Sequence, residues 1–146
     1  MTCYGFIGLG NMGGGMAAVL AAAGHKVQAF DLSADALQRG VNAGAQASDS
    51  ASAAVAGADV IITMLPAGVH VRDVYEQAVL PAAARDALVI DCSTVDVETA
   101  RAVAEQAQGA NLRAADAPVS GGVVAAAAGA LTFMVGCREA EFAAME

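Results

Sequence analysis

The sequence predicts an α/β fold, a doubly wound and mostly parallel sheet with helices on both faces. Three observations carry this reading. Short apolar runs alternate with stretches of helical periodicity from one end of the chain to the other. The runs are apolar throughout instead of alternating with polar residues, as strands covered on both faces are. Strand–helix alternation joined by right-handed crossovers then leaves little topological choice beyond a doubly wound sheet. With 146 residues the chain has room for one domain and a sizeable core.

In order, Tyr4–Gly8 is the first predicted strand, and Met16, Val19, Leu20 and Ala23 line one face of the helix after it. Lys26–Phe30 is a second strand, followed by a short helix over Ala34–Asn42. Asp59–Leu65 is a strong buried strand, after which Val71, Val74, Tyr75 and Ala78 recur at helical spacing. Leu88–Cys92 is the next strand. Val97, Ala100, Ala104 and Ala107 mark the inner stripe of its helix, with Arg101 and Glu105 as an i,i+4 pair outside. Leu112–Asp116 and Ala130–Val135 are two further strands, with an alanine-rich helix between them. In such a sheet ligands sit at the carboxyl ends of the strands, so the loops after Gly8, Phe30, Leu65, Cys92 and Asp116 are the ones to search.

Composition narrows the classes of function. Apolar residues make up 57% and charged ones 15%, the balance of a globular protein. The net charge is −8, with one lysine, Lys26, and six scattered arginines. That argues against nucleic acid or an anionic membrane surface as partner, so an anionic ligand must be held by backbone N–H groups. Met1–Gly24 and Ala117–Cys137 lack charge, but glycines and Pro118 break them up, and neither reads as a membrane span or signal peptide. Cys3, Cys92 and Cys137 are odd in number and lack C-x-x-C spacing. They fit reduced thiols in a cytoplasmic protein, with no metal or disulfide implied.

The stretch FIGLGNMGGGM holds five glycines within eight residues. Gly8-Leu9-Gly10-Asn11-Met12-Gly13 is G-x-G-x-x-G, directly after a strand and opening a helix. Gly8 permits the tight turn, Gly10 lets backbone approach a pyrophosphate, and Gly13 lets the helix pack close to the strand. Unpaired N–H groups and the helix dipole would face the phosphates. Asp31 closes the second strand, 18 residues past Gly13, where an acid accepts hydrogen bonds from the adenosine ribose. Its charge would repel a 2′-phosphate, so the pattern reads as a Rossmann-type site for NAD in preference to NADP. Two other readings remain open at this point. Asp31 could cap the following helix, although Ser33 serves as well, and S-adenosylmethionine sites also use a glycine-rich first turn. Gly14 and Gly15 have no evident role, and each costs up to about 1 kcal/mol against alanine.

Three downstream loops have similar character: Met64-Leu65-Pro66-Ala67-Gly68-Val69-His70, Asp91-Cys92-Ser93-Thr94, and Ala115-Asp116-Ala117-Pro118-Val119-Ser120-Gly121-Gly122. From spacing alone each could be an ordinary cap or turn, and His70 in a first helical turn could be a solvated cap. Taken together, FIGLGNMG, MLPAGVHV, DCSTVD, DAPVSGG and GALTFMVG resemble the 3-hydroxyisobutyrate dehydrogenase family of beta-hydroxyacid dehydrogenases, in that family's order over nearly the whole chain. The resemblance implies NAD-dependent oxidation of 3-hydroxyisobutyrate to methylmalonate semialdehyde in valine breakdown. It implies that Leu65, Pro66 and His70 contact the cofactor, that Thr94 lies near the nicotinamide, and that Ser120, Gly121 and Gly122 receive the substrate carboxylate.

The family's proton transfer relies on a lysine in a later helix of an all-helical second domain, which also carries most subunit contacts. Lys26, at the opposite end of the second strand, cannot serve, so no catalytic residue is expected in residues 1–146. The expectation is therefore an amino-terminal cofactor domain, truncated before its catalytic lysine and inactive alone, with exposed apolar surface and the possibility of self-association. Val19 and Gly15 depart from the family's usual Asn or Ser and proline. Rival readings are a tartronate or succinic semialdehyde reductase, whose pocket the missing half would decide, and a non-catalytic NAD-binding module.

Overall fold

A computed structural model describes all of residues 1–146. Its strands and helices alternate: β1 (Cys3–Ile7), α1 (Gly13–Ala22), β2 (Lys26–Phe30), α2 (Ala34–Asn42), β3 (Gln46–Ala47), α3 (Ala51–Val55) and β4 (Val60–Thr63). Helix α4 (Gly68–Val74) continues through a π-helical turn (Tyr75–Val79) into α5 (Leu80–Ala82), and β5 (Leu88–Asp91), α6 (Val97–Gly109) and β6 (Arg113–Asp116) follow. The last quarter holds β7 (Val119–Ser120), α7 (Gly122–Ala128), β8 (Thr132–Phe133), β9 (Gly136–Cys137) and α8 (Glu139–Phe142). The main sheet runs β3-β2-β1-β4-β5-β6-β9, and β7 pairs β8 separately. Every pairing in the main sheet is parallel except that of β9 with β6.

The strand order reverses between β1 and β4, which opens a crevice at the carboxyl ends of the strands. Each face of the sheet carries its own core. Ile7, Ile61, Val89 and Ala114 point to one face, where they pack with Val71, Tyr75, Val103 and Ala107. Phe6, Val27, Ala29 and Ile62 point to the other, against Met16, Ala17, Ala36 and Ala126. Burying a Phe, Ile or Val side chain contributes about 1.5–3 kcal/mol, so these two layers, more than helix propensity, hold the fold. On the second face a groove of about 350 Å³ lies between the sheet and α1, α7 and the chain's last residues, lined by Val60, Ile62, Leu88, Ile90, Leu131 and Met145 among others.

Several elements differ from the sequence expectation. Gly8 lies outside β1 because its φ of 98° leaves extended geometry. The buried stripe of α6 is Thr99, Val103 and Ala107, and Val97 is 65% exposed. Asp96 accepts the Thr99 amide at 2.8 Å, which sets the start of the helix and rotates its apolar face by about one position. Arg101 and Glu105 are exposed and form no ion pair; the one salt bridge joins Arg138 to Glu141. Helix α1 buries Gly13, Met16 and Ala17 and ends at Ala22, so Ala23 lies past its end and is exposed. Of the expected strand Ala130–Val135 only Thr132–Phe133 forms, as β8, which pairs with β7; β9 lies just beyond it and turns back antiparallel onto β6. β3 and α3 carry too little apolar periodicity to be read in advance. No helix is long and apolar enough to cross a membrane.

Candidate functional site

Phe30, Ile7, Thr63, Asp91 and Asp116, the last residues of five parallel strands, stand beside one another in a single row across the sheet. All five loops singled out in the sequence leave from that row. Lys26 begins β2 at the opposite end, beside Cys3.

The glycine loop is built by close approaches. A Cβ on Gly8 would lie 2.2 Å from the Met64 carbonyl oxygen, and one on Gly13 would lie 1.9 Å from the Gly8 carbonyl oxygen. Only hydrogen fits at either place, so the turn presses α1 onto the strands. Gly10 is different, for a Cβ there meets nothing within 4 Å, and the space before it is open. The Gly14 amide donates to the Gly10 carbonyl at 2.9 Å and that of Met16 to the Met12 carbonyl at 3.2 Å. The amides of Gly10, Asn11 and Met12 have no acceptor within the protein, and no acidic residue occupies the first turn of α1. Open space, free donors and a helix amino terminus together suit a phosphate group.

Asp31 does not cap α2. Ser33 does, its Oγ accepting the Ala36 amide at 3.2 Å. The Asp31 carboxylate instead accepts the Leu9 amide on one oxygen and the Ser33 amide on the other, both at 2.7 Å. These bonds fix it beside the glycine loop. Two of its roughly four lone-pair sites remain for a ligand's hydroxyls.

Behind the loops after β4 and β5 lies a buried polar network absent from the sequence reading. Oδ1 of Asp91 accepts the Thr63 hydroxyl at 2.8 Å and the Ser93 amide at 3.1 Å, and the Ser93 Oγ accepts the Leu65 amide at 2.8 Å. Asp91 is 4% exposed, and Thr63 and Ser93 are fully buried. Burial holds the Asp91 carboxyl above its ordinary range, against the opposing pull of its bonds to Ser93 and Thr63. Burial, with Asp91 beside it, does the same to Asp116. Burial pushes the Cys92 thiol up to about 12 and raises the Tyr75 phenol as well. The signal that could have found this network is an aspartate closing each of two neighbouring strands, β5 and β6.

The remaining site residues sit on the same edge with fewer constraints. Leu65 is half-buried, and Pro66, His70 and Thr94 are exposed. His70 is the third residue of α4. Ser120 is exposed and pairs with Thr132 in the small sheet. Gly121 and Gly122 both have positive φ, at 133° and 73°, so the Ser-Gly-Gly turn requires glycine. Gly15, unexplained in the sequence, has a structural role. A Cβ there would lie 3.0 Å from the Ala127 nitrogen, so α1 and α7 cross at this glycine.

The family model for the NAD binding domain of 6-phosphogluconate dehydrogenase matches residues 3–146. A 3-hydroxyisobutyrate dehydrogenase of Pseudomonas aeruginosa is 53% identical over 138 residues, 93% of this chain and 46% of that protein. An NAD-dependent L-serine dehydrogenase of the same organism is 49% identical over 138 residues, again 93% of this chain and 46% of that protein. The solved structure of Mycobacterium tuberculosis 3-hydroxyisobutyrate dehydrogenase with L-serine superposes with a TM-score of 0.98 at 46% identity, covering 100% of this chain and 50% of that one. The chain thus spans about half the length of the curated relatives it matches.

Proposed function

The chain belongs to the family of the NAD binding domain of 6-phosphogluconate dehydrogenase, and from that premise we propose that residues 1–146 hold and orient NAD for the oxidation of 3-hydroxyisobutyrate to methylmalonate semialdehyde. The observation that carries this reading is the open space before Gly10, faced by the free amides of Gly10, Asn11 and Met12, with the Asp31 carboxylate fixed at its side. These residues fit a dinucleotide. The amides would take the pyrophosphate, and Asp31 the adenosine ribose. Leu65, Pro66, His70 and Thr94 would flank the cofactor toward its nicotinamide, and Ser120, Gly121 and Gly122 would receive the substrate carboxylate. When bound, NAD supplies the hydride acceptor. The chain's own residues would bind and orient the cofactor; the family resemblance implies a lysine for the proton transfer, and Lys26, the one lysine here, lies at the far end of the sheet.

L-serine is a second substrate to consider, because the serine dehydrogenase is 49% identical against 53% for the hydroxyisobutyrate enzyme. Calorimetric titration of NAD and NADP into the chain tests the cofactor assignment, with binding of NAD and markedly weaker binding of NADP expected; no NAD binding would sink it. The carboxylate assignment is tested by amide NMR shifts in the NAD-saturated chain. Addition of 3-hydroxyisobutyrate should move Ser120, Gly121 and Gly122, and a larger response to L-serine would reassign the substrate.

A further inference from the structure

Two buried oxygens lack any partner, Oδ2 of Asp91 and Oδ1 of Asp116. The two residues are register partners on adjacent parallel strands, so their side chains leave the same face. Both line one small cavity with Tyr75, Ala100, Val103 and Ala104. An orphaned carboxylate oxygen is costly in a buried place, and two beside each other are worse because like charges repel. A proton between them removes both penalties.

The bonds say which residue keeps the charge. Asp91 receives two donors on its other oxygen, from Thr63 and Ser93, which favour the ionised form. The Asp116 side chain is engaged by no donor in the protein. The neighbouring groups offer no compensating cation. Tyr75 and Cys92 stay neutral, Cys137 sits on β9 opposite Ala115, and on α8 Arg138 is held by Glu141. From α4, Arg72 is engaged by the Thr99 hydroxyl and Asp73 is exposed, as are Glu98, Arg101 and Glu105 on α6.

We propose that Asp91 and Asp116 share one proton across this cavity, Asp116 donating toward Oδ2 of Asp91, and that the pair is a positioning device for the ligand edge. Asp91 ties the loop after β5 through Ser93 and, through the Ser93 hydroxyl, the loop after β4 at Leu65. Asp116 opens the loop that leads to Ser120. One proton therefore braces the bases of three loops, and its loss sets two carboxylates against each other beneath them. The pair titrates as a unit. Only the consequence for NAD rests on the function proposed above.

Carbon NMR of the aspartate carboxyls, followed across pH in the 146-residue chain, reads the proton directly. One carboxyl should titrate above the ordinary aspartate range, with the Leu65 and Ser93 amide signals shifting in the same step and NAD affinity falling several-fold through it. In Asp116→Asn, whose amide donates permanently, the high titration should vanish and NAD affinity should stay level with pH. Two aspartates titrating in the ordinary range would overturn the pair, whatever NAD does. A high titration that leaves the Leu65 and Ser93 signals unmoved would overturn the positioning role. A chain that shows the high titration and the amide shifts but binds no NAD would sink the proposed function and leave the pair standing. Should Asp116→Asn fail to fold, the titration of the unaltered chain still decides.

Discussion

A methyl group added at Gly10 meets nothing, whereas one added at Gly13 would stand 1.9 Å from a carbonyl oxygen. The two glycines of one motif thus do different things, and the difference can be measured. Gly10→Ala should change stability by less than about 0.5 kcal/mol, as surface substitutions do, while obstructing the approach of a pyrophosphate. Gly13→Ala should destabilise by about 1–3 kcal/mol, the range for overpacking. Thermal unfolding and NAD calorimetry on both variants separate these effects, and the proposed phosphate seat fails if Gly10→Ala binds NAD as tightly as the parent. Asp31→Ala should weaken NAD by about 1–3 kcal/mol, the cost of a lost charged hydrogen bond, and should relax the preference against NADP. Unchanged affinity would remove the ribose role. Cys92, 1% exposed at the base of the apolar groove and with its thiol pushed up to about 12, should react only slowly with a thiol reagent at neutral pH until the chain unfolds.

Helices α1 and α7 meet where a Cβ on Gly15 would lie 3.0–3.2 Å from the backbone of Ala126 and Ala127. Val19 packs one turn further on, 3.2 Å from the corresponding point on Gly129. Gly15→Val should therefore push α7 away and lower the unfolding temperature, even though glycine itself costs up to about 1 kcal/mol in a helix. A variant as stable as the parent would show that this crossing is not tight. Gly15 also illustrates what could and could not be read from the sequence. The first three glycines were legible because their neighbours are local in sequence or lie in a motif of fixed spacing. The role of Gly15 depends on a helix more than a hundred residues later, and nothing near it signals the contact. The same holds for Asp91 and Asp116, whose meaning comes from standing opposite each other across two strands. Strand β2 and helix α2 match their predicted spans because turn and cap chemistry bounds them. The buried face of α6 differs from the predicted one by one position because alanines look alike on every side of a helix, and only the Asp96 cap decides the phase. The roles of Leu65, Pro66, Thr94 and Ser120 came from family resemblance, not from spacing.

Taken whole, the molecule presents a cofactor edge, a polar brace beneath it, and an open apolar groove on one sheet face. A mixture of the chain, NAD and 3-hydroxyisobutyrate should show no turnover under conditions where calorimetry shows NAD bound; rates near those of ordinary dehydrogenases would refute the assignment of proton transfer to groups other than these. Stability should carry the signature of the buried Asp91 and the half-buried Asp116. Asp91 and Asp116 are raised in the folded chain, so between the ordinary carboxylate range and the raised values the folded state holds more protons than the unfolded one. Their contribution is full below that window and declines as pH rises through it. Asp116→Asn should thus gain stability relative to the parent as pH rises from the ordinary carboxylate range through the raised titration, read as the difference in urea unfolding free energy; a constant difference would contradict it. The margins of the large sheet have a separate consequence. They are Gln46–Ala47 on one side and Gly136–Cys137 on the other, each a strand of two residues. Margins that short offer a neighbouring chain no ladder of amides and carbonyls to zip onto. Crowded copies of this molecule should therefore meet through side chains and remain amorphous or reversible, without growing into fibres.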